Sequence, residues 1–483
     1  MINMSREARV DVAVIGGGVI GAAIAMRLSL TNARVCLFEK ADDLAEGASK
    51  GNSGIAECGY DTTPGSLETK LVRASSPRWE ALSKRLDVPF KRLGSLCVAI
   101  TNEEFARLPH LREVAHANGV AAEIVSADRA RQLEPLISPK CRGALHLPEE
   151  GIIDPLRLTF GYAELAVANG ARVLLSSPII GFEKDGDQIC RVITPRDKVN
   201  VRFVVNASGV QADTVSALAG GDSYQMWPRK GQFWILDRDF GSRLRHLVLG
   251  VPTSTTRGVL VVPTTHGSAL VGPTAEDLDD RLDRSTIPHT LERVFDQAKA
   301  LVPSISREFA IKTFAGARPA SDILYRIKID DSVPNLVHAA AIRSTGVSSS
   351  PAVADYVLDL LRQAGLHATD RSDALTSIPP VARLLTDRNP SQLLALDRRY
   401  GQVICVCEQV SAAEIAAALT ALVPARSIEG IRKRTRATGG RCQGAMCMAG
   451  VAFMASVQMN RPPEEIAFNG TSGSTLGIGH AGR

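Results

Sequence analysis

Val10-Asp-Val-Ala-Val-Ile-Gly-Gly-Gly-Val-Ile-Gly21, a helical run through Leu30, and Ala33-Arg-Val-Cys-Leu-Phe-Glu-Lys40 form the stretch that decides the fold. An apolar strand (Val10, Val12, Val14, Ile15) runs into Gly16, Gly18 and Gly21, which spell G-x-G-x-x-G. Glu39 closes a second strand, 21 residues past Gly18. Each part has a physical task. Gly16 permits a tight turn, Gly18 lets a pyrophosphate approach the backbone, and Gly21 brings the helix close to the sheet. The helix start supplies free N–H groups and the positive end of its dipole. Glu39 stands where a carboxylate binds a ribose hydroxyl. Strand, helix, second strand and acid in register predict a dinucleotide site on a parallel α/β sheet.

The 483 residues suffice for two or three domains with their own cores. Hydrophobic content of 45% and charged content of 22% suit a globular enzyme, and a net charge of +5 is too small to argue for nucleic acid, which is not expected as a partner. No apolar run reaches transmembrane length; the longest, residues 444–457, is short and contains Gly450. No apolar signal core precedes the first strand. A cytoplasmic protein is expected, one that can sit peripherally on the inner face of a membrane. Of nine cysteines, Cys405, Cys407, Cys442 and Cys447 cluster near the end, which in a cytosolic enzyme suggests metal rather than disulfides.

Further along, residues 47–54 (Gly-Ala-Ser-Lys-Gly-Asn-Ser-Gly) can run extended beside a cofactor and offer Ser49, Asn52 and Ser53. Residues 67–86 have helical spacing broken at Pro77, and Asp154 N-caps a helix over 155–169. The strand 201–205 ends in Asn206-Ala-Ser-Gly209, again small residues before a helix. Residues 227–236, 258–262 and 268–272 suit a separate antiparallel sheet. A Ser/Gly-rich turn, Ile342-Arg-Ser-Thr-Gly-Val-Ser-Ser-Ser-Pro351, should open a helix at Ala352. Residues 366–399 read as a linker, 400–458 as a compact module, and 459–483 as a flexible tail.

In the module, Cys405-Val-Cys407 and Cys442-Gln-Gly-Ala-Met-Cys447 are soft thiolates spaced C-x-C and C-x4-C, suited to a two-iron cluster or a structural zinc. C-x-C is uncommon for zinc. Cys447 starts an apolar helix whose dipole would favour its thiolate. The basic run Arg432-Lys-Arg-Thr-Arg436 is expected to offset cluster charge.

Residues 12–18, Phe38-Glu39-Lys40, Gly47-Ala-Ser49, Asn206-Ala-Ser-Gly209 and Gly316-Ala-Arg-Pro319 together resemble the D-amino-acid-oxidase superfamily of FAD enzymes, over about residues 10–365. The C-terminal module is similar to the bacterioferritin-associated-ferredoxin type of [2Fe-2S] domain. In this order the two resemble the catalytic subunits of anaerobic glycerol-3-phosphate dehydrogenases and their single-chain relatives. Ile153 to Thr159, Pro228-Arg-Lys-Gly231 and Cys442-Gln-Gly444 add to that resemblance. It implies a Rossmann-like FAD-binding domain (8–80, 145–225, 310–365) with an antiparallel-sheet substrate domain (81–144, 226–309) and a small helical [2Fe-2S] module. It implies FAD contacts at Gly16, Gly18, Gly21, Glu39, Lys40, Ser49, Asn52, Ser53, Ile179, Ala207, Gly209, Gly316, Gly346 and Val347, and cluster ligation by the four clustered cysteines. Of the family's substrate arginines Arg318 is kept. The Arg-Tyr pair and the Gly-Gly-Lys of the family are replaced by residues 55–64 and 342–346, where Arg343 can stand in for the lysine.

With one dinucleotide fingerprint and none for NAD, electrons must leave by another route, and a two-iron centre takes them singly. The expected activity is FAD-dependent dehydrogenation of a small anionic substrate, a glycerol 3-phosphate-like polyol phosphate or a 2-hydroxy acid. Hydride passes to flavin, and electrons leave through the cluster to a quinone or to a partner iron–sulfur or membrane protein. Arg318 and Arg343 would bind the anion. His266 is the candidate base, with a satisfied structural histidine as the competing reading; Lys230 is equally ambiguous. The alternatives are an amino- or imino-acid dehydrogenase and a non-catalytic electron-transfer subunit.

Overall fold

The computed structural model describes residues 10–253, 257–385 and 389–470. Strand β1 (Val10–Ile15) is buried at every position, which explains why it is apolar apart from Asp11: both faces of its sheet are covered, and Asp11 is paired with Arg34. It pairs in parallel with β2 (Val35–Phe38) on one side and with Lys198–Asn206 on the other. Arg172–Leu174 extends the parallel set beyond β2, and Leu336–Ala340 extends it beyond Lys198–Asn206. A hairpin (Gly181–Asp185, Gln188–Ile193) and Arg326–Ile329 add antiparallel edges, making eight strands. Helix α1 (Val19–Ser29) packs with Pro155–Ala168 and Gly346–Gln363 on one face; Ala212–Ala219 covers the other.

A second sheet of nine strands is mostly antiparallel, with Pro288–Leu301 packed on one face. Ala310–Ala320, expected with the nucleotide half, belongs here instead. It pairs along its length with Trp227–Leu236, so the longest strand of the second sheet carries Gly316 and Arg318. Gly143–Leu147 also belongs to this sheet.

The helix expected at Ala352 begins six residues earlier, at Gly346. Pro351 is accommodated because Ser350 Oγ donates to Val347 O (2.9 Å), the carbonyl a proline N–H cannot serve. Residues 366–399 hold a helix (Pro390–Leu396) and are pinned down: Arg371 N donates to Leu30 O (2.9 Å), and Arg383 pairs with Asp87 (2.7 Å). Of the expected tail, residues 471–483 lie outside the described residues. No helix among the described residues is long and apolar enough to cross a membrane.

The cysteine module has its own small core of Ile415, Ile428, Ile431 and Val451. Its basic run does not serve the cluster as expected. Lys433 Nζ pairs with Asp43 Oδ2 (2.8 Å) and Glu46, and donates to Leu44 O (2.8 Å). Arg434 grips both Asp43 oxygens (2.8 and 2.9 Å) and stacks 3.8 Å over the Phe160 ring. Arg436 pairs with Glu408, which Arg238 of the nine-stranded sheet region also holds. The run fastens the module to the rest of the chain.

Burial alone would raise the Asp43 carboxyl, but Arg434 and Lys433 outweigh it and hold it below its ordinary value. A depressed folded value gives stability that is present above the unfolded value and lost as pH falls through the folded one. Replacing Lys433 and Arg434 together by methionine strands a buried carboxylate and should cost about 3–5 kcal/mol. The measurement is the denaturation midpoint against pH: the double variant should be less stable at neutral pH and lose the part of the acid dependence that Asp43 supplies.

Candidate active site

A cavity of about 940 Å³ opens between the two sheets. Gly16, Glu39, Ala207 and Ala341 directly follow the ends of four parallel strands, and all four line it. Ligands of open α/β sheets bind at this carboxyl edge. Gly16 has φ 110°, and a Cβ there would lie 2.4 Å from Ala207 O, so no larger residue fits. Glu39 is oriented twice: Oε2 accepts Gly17 N–H (2.7 Å) and Oε1 accepts Ala41 N–H (2.9 Å). Ser49 Oγ accepts Val19 N–H (2.9 Å), while the Gly18 and Ile20 N–H groups have no acceptor among the described residues. An uncapped helix start beside a fixed carboxylate suits the pyrophosphate and ribose of a dinucleotide.

Lys40, Asn52, Ser53, Gly209, Gly316, Gly346 and Val347 also line the cavity. Gly51 and Gly316 cross in near contact, a Cβ on Gly51 standing 2.4 Å from Gly316 Cα, which holds the 47–54 loop against the second sheet. Two expected residues are absent from the wall. Gly21 lies beneath it, where a Cβ would meet Gly16 O at 1.9 Å. Ile179 packs against the core on the far face of the parallel sheet.

Arg318 and Arg343 both reach the cavity. Gly231 makes room for the first, since a Cβ there would sit 2.3 Å from Arg318 Nη2. That nitrogen donates to Thr274 O (2.6 Å). Burial, with Arg229, Arg343 and Arg257 nearby, pulls the Arg318 guanidinium down to about 10. Neither Arg318 nor Arg343 has a carboxylate partner among the described residues. Anions are the ligands such groups favour.

His266 is not at this site. Its Nε2 bonds Asp154 Oδ2 (2.7 Å) in a separate small cleft with Arg436 and Glu408, and burial, then the nearby Arg436, lowers it. Asp154 Oδ1 meanwhile caps the helix Pro155–Ala168. The structural reading of His266 prevails. Lys230 is likewise spent, fully buried on Asp283 (2.8 Å).

In the module, Cys405 and Cys447 are buried and Cys407 and Cys442 half-buried. Cys407 contacts Cys442, and Cys405 contacts Cys447. Among the described residues, Asp222, Asp330 and His338 are the only three metal-ligand side chains whose ligand atoms all lie within 4.8 Å of one another. The four thiols therefore stand as two pairs, not as one knot. Tetrahedral zinc would hold all four sulfurs about 3.8 Å apart, from its usual Zn–S bond. Two pairs suit two irons. Burial, with Cys405 alongside, pushes the Cys447 thiol up to about 12, and bound metal charge is what would favour its thiolate.

Residues 11–360 match the family described as FAD dependent oxidoreductase (DAO), and residues 403–452 match the BFD-like [2Fe-2S] binding domain. The chain belongs to the DAO family of FAD dependent oxidoreductases. FAD and a [2Fe-2S] cluster are its cofactors. The oxidoreductase is 36% identical over 444 residues to a glycerol 3-phosphate dehydrogenase of Caloramator mitchellensis, covering 90% of this chain and 92% of that one. It is 26% identical over 487 residues to one of the subunits of the anaerobic glycerol-3-phosphate dehydrogenase of Escherichia coli K12, covering 90% and 86%. Among solved structures, the FAD-bound L-alpha-glycerophosphate oxidase of Mycoplasma pneumoniae superposes with a TM-score of 0.72 at 28% identity, covering 78% of this chain and all of that one.

Sequence reasoning missed the charged group that shares the oxidoreductase's cavity: Arg257, with Glu57, Asp61 and Glu68 around it. Glu57 and Asp61 lie in the 55–64 stretch that departs from the family, which was the available signal. Nothing local marks Arg257, some 200 residues away.

Two outcomes test the cofactor sites. Glu39→Ala removes charged hydrogen bonds of about 1.5–3 kcal/mol, so FAD affinity should fall roughly 10–100-fold by flavin fluorescence titration. Cys405→Ser should remove the visible iron–sulfur bands and bound iron while the flavin stays.

Proposed function

We propose that the chain oxidises a small phosphorylated polyol, glycerol 3-phosphate or a close analogue, at a secondary hydroxyl. The single observation carrying this is a pair of cavity arginines, Arg318 and Arg343, left without carboxylate partners at the carboxyl edge where the dinucleotide fits. The names of the similar proteins point to the same substrate. In this reading the amides at the α1 start hold the pyrophosphate, Glu39 the ribose, and Ser49, Asn52, Ser53, Gly346 and Val347 the rest of FAD. Bound flavin supplies a hydride acceptor. Arg318 and Arg343 orient the anion so that the reacting carbon is presented to it. The four cysteines hold a cluster that takes electrons one at a time. The acceptor we assign is a quinone or an iron–sulfur partner, reached with the protein peripheral to a membrane.

The test is anaerobic mixing of holoenzyme with glycerol 3-phosphate, 2-hydroxyglutarate, lactate, proline and sarcosine. Flavin absorbance should bleach with the polyol phosphate; bleaching by the amino or imino acids alone would overturn the assignment. Arg343→Ala should raise KM about 10–100-fold, the loss of one charged hydrogen-bond set, with kcat less affected. Cys405→Ser should leave bleaching intact and block acceptor reduction.

A further inference from the structure

Besides the two unpaired arginines, the cavity wall holds one guanidinium among three carboxylates. Arg257 Nη1 lies 2.7 Å from Glu57 Oε2, its Nε 3.0 Å from Asp61 Oδ2, and its Nη2 3.8 Å from Glu68 Oε1. Three acids against one base leave surplus negative charge in a partly dry wall, and like charges so placed do not all ionise freely. The three acids are not equivalent. Glu68 Oε1 is tied up by Thr345 Oγ1 (2.7 Å), itself bonded to the Tyr325 hydroxyl (2.6 Å). Asp61 and Glu68 side chains keep 9% and 13% of their surface, whereas Glu57 keeps 20%. Glu57 is held by its backbone, its N–H donating to Ser348 Oγ (3.0 Å) in the first turn of the helix Gly346–Gln363. Its Oε1 has no partner among the described residues.

We propose that Glu57 is the base that accepts the substrate's hydroxyl proton, with Arg257 as the positioning residue that fixes its carboxylate; this rests on the function proposed above. The O–H proton passes to a Glu57 oxygen, the C–H electron pair leaves as hydride to the oxidised flavin, and the C–O bond becomes C=O. The substrate loses two electrons and the flavin gains them. Glu57 then gives its proton to water.

The surroundings favour a proton acceptor. Burial raises the Glu57 carboxyl, with Asp61 and Glu68 adding and Arg257 opposing. Behind it Glu150, whose Oε1 accepts Cys58 N–H (2.9 Å), is pushed up to about 8 by burial and the Glu57 charge. Tyr60 and Tyr325 face the group as neutral hydroxyls, and Arg343 lies within range of Glu68 and Asp61. A raised value means the carboxylate form is gained as pH rises, so the rate should climb through an ascending limb set by Glu57.

Glu57→Gln should slow anaerobic flavin reduction by glycerol 3-phosphate about 10²–10⁴-fold, leave substrate Kd within about threefold, and erase the ascending limb. Formate should restore the rate of Glu57→Ala in proportion to its concentration, which a structural role would not allow. Infrared titration of the protonated carboxyl stretch, without turnover, should show a band titrating above the ordinary glutamate range that is missing in Glu57→Gln. Wild type that bleaches while Glu57→Gln keeps its rate and pH limb overturns this proposal alone, as does failure of formate or absence of the infrared band. Wild type not bleached by any polyol phosphate overturns the functional reading on which it rests.

Discussion

The structure depends on a knot of buried charge: Lys433 and Arg434 of the cysteine module locked onto Asp43 and Glu46. The side chains of Lys433, Arg434 and Asp43 are 2%, 6% and 3% exposed. Taking such groups out of water costs several kcal/mol each, recovered only if every donor and acceptor is met. Here the carbonyls of Leu44, Val423 and Gly430 complete the donors, and the Phe160 face takes the guanidinium. An apolar contact of equal area could slide; charged forks meeting a fixed carboxylate cannot. The knot grips the loop between Glu39, which lines the cavity, and Ser49, which binds the α1 start. The dinucleotide wall and the cluster module are thus set by one loop.

A second fastening acts from the other side. Glu408, next to Cys407, is held by Arg238 and Arg436, and Arg441, next to Cys442, pairs with Asp237. The residues flanking Cys407 and Cys442 are therefore anchored beside Trp227–Leu236, in the sheet that carries Arg318. With both sheets clamped to it, the module has little freedom to swing away between receiving and delivering electrons.

The parallel half was legible because its signals are local. Gly16, Gly18, Gly21 and Glu39 recur at fixed short spacings along one strand–helix–strand unit, even though Ala207, far along the chain, also crowds Gly16, and the Cys spacing is likewise a short-range pattern. What was not legible is set across long separations. The resemblance carried by Gly316-Ala-Arg-Pro319 assigns Ala310–Ala320 to the FAD-binding part, yet the strand's register is decided by Trp227–Leu236. The basic run could not be read correctly from charge alone, because its partners Asp43 and Glu46 lie nearly four hundred residues earlier. His266 misleads for the same reason: a histidine after two threonines looks available until Asp154, distant in sequence, is seen to occupy it.

The cavity's charges also bear on how a substrate must lie. The wall holds two arginines with no acid paired to them, and one arginine outnumbered three to one by carboxylates, with Arg343 within range of Glu68 and Asp61. A phosphate carrying two charges is attracted to the unpaired arginines and repelled by the carboxylates, so the same electrostatics that binds it also disfavours placing it against the acids. A hydroxyl has no charge to be repelled and can donate to the carboxylates. Polarity of the site, rather than closeness of fit, then decides which carbon of a small flexible polyol is exposed to oxidation. A substrate with anionic groups at both ends would have to bring one of them against the acid wall, and for that reason the site disfavours it.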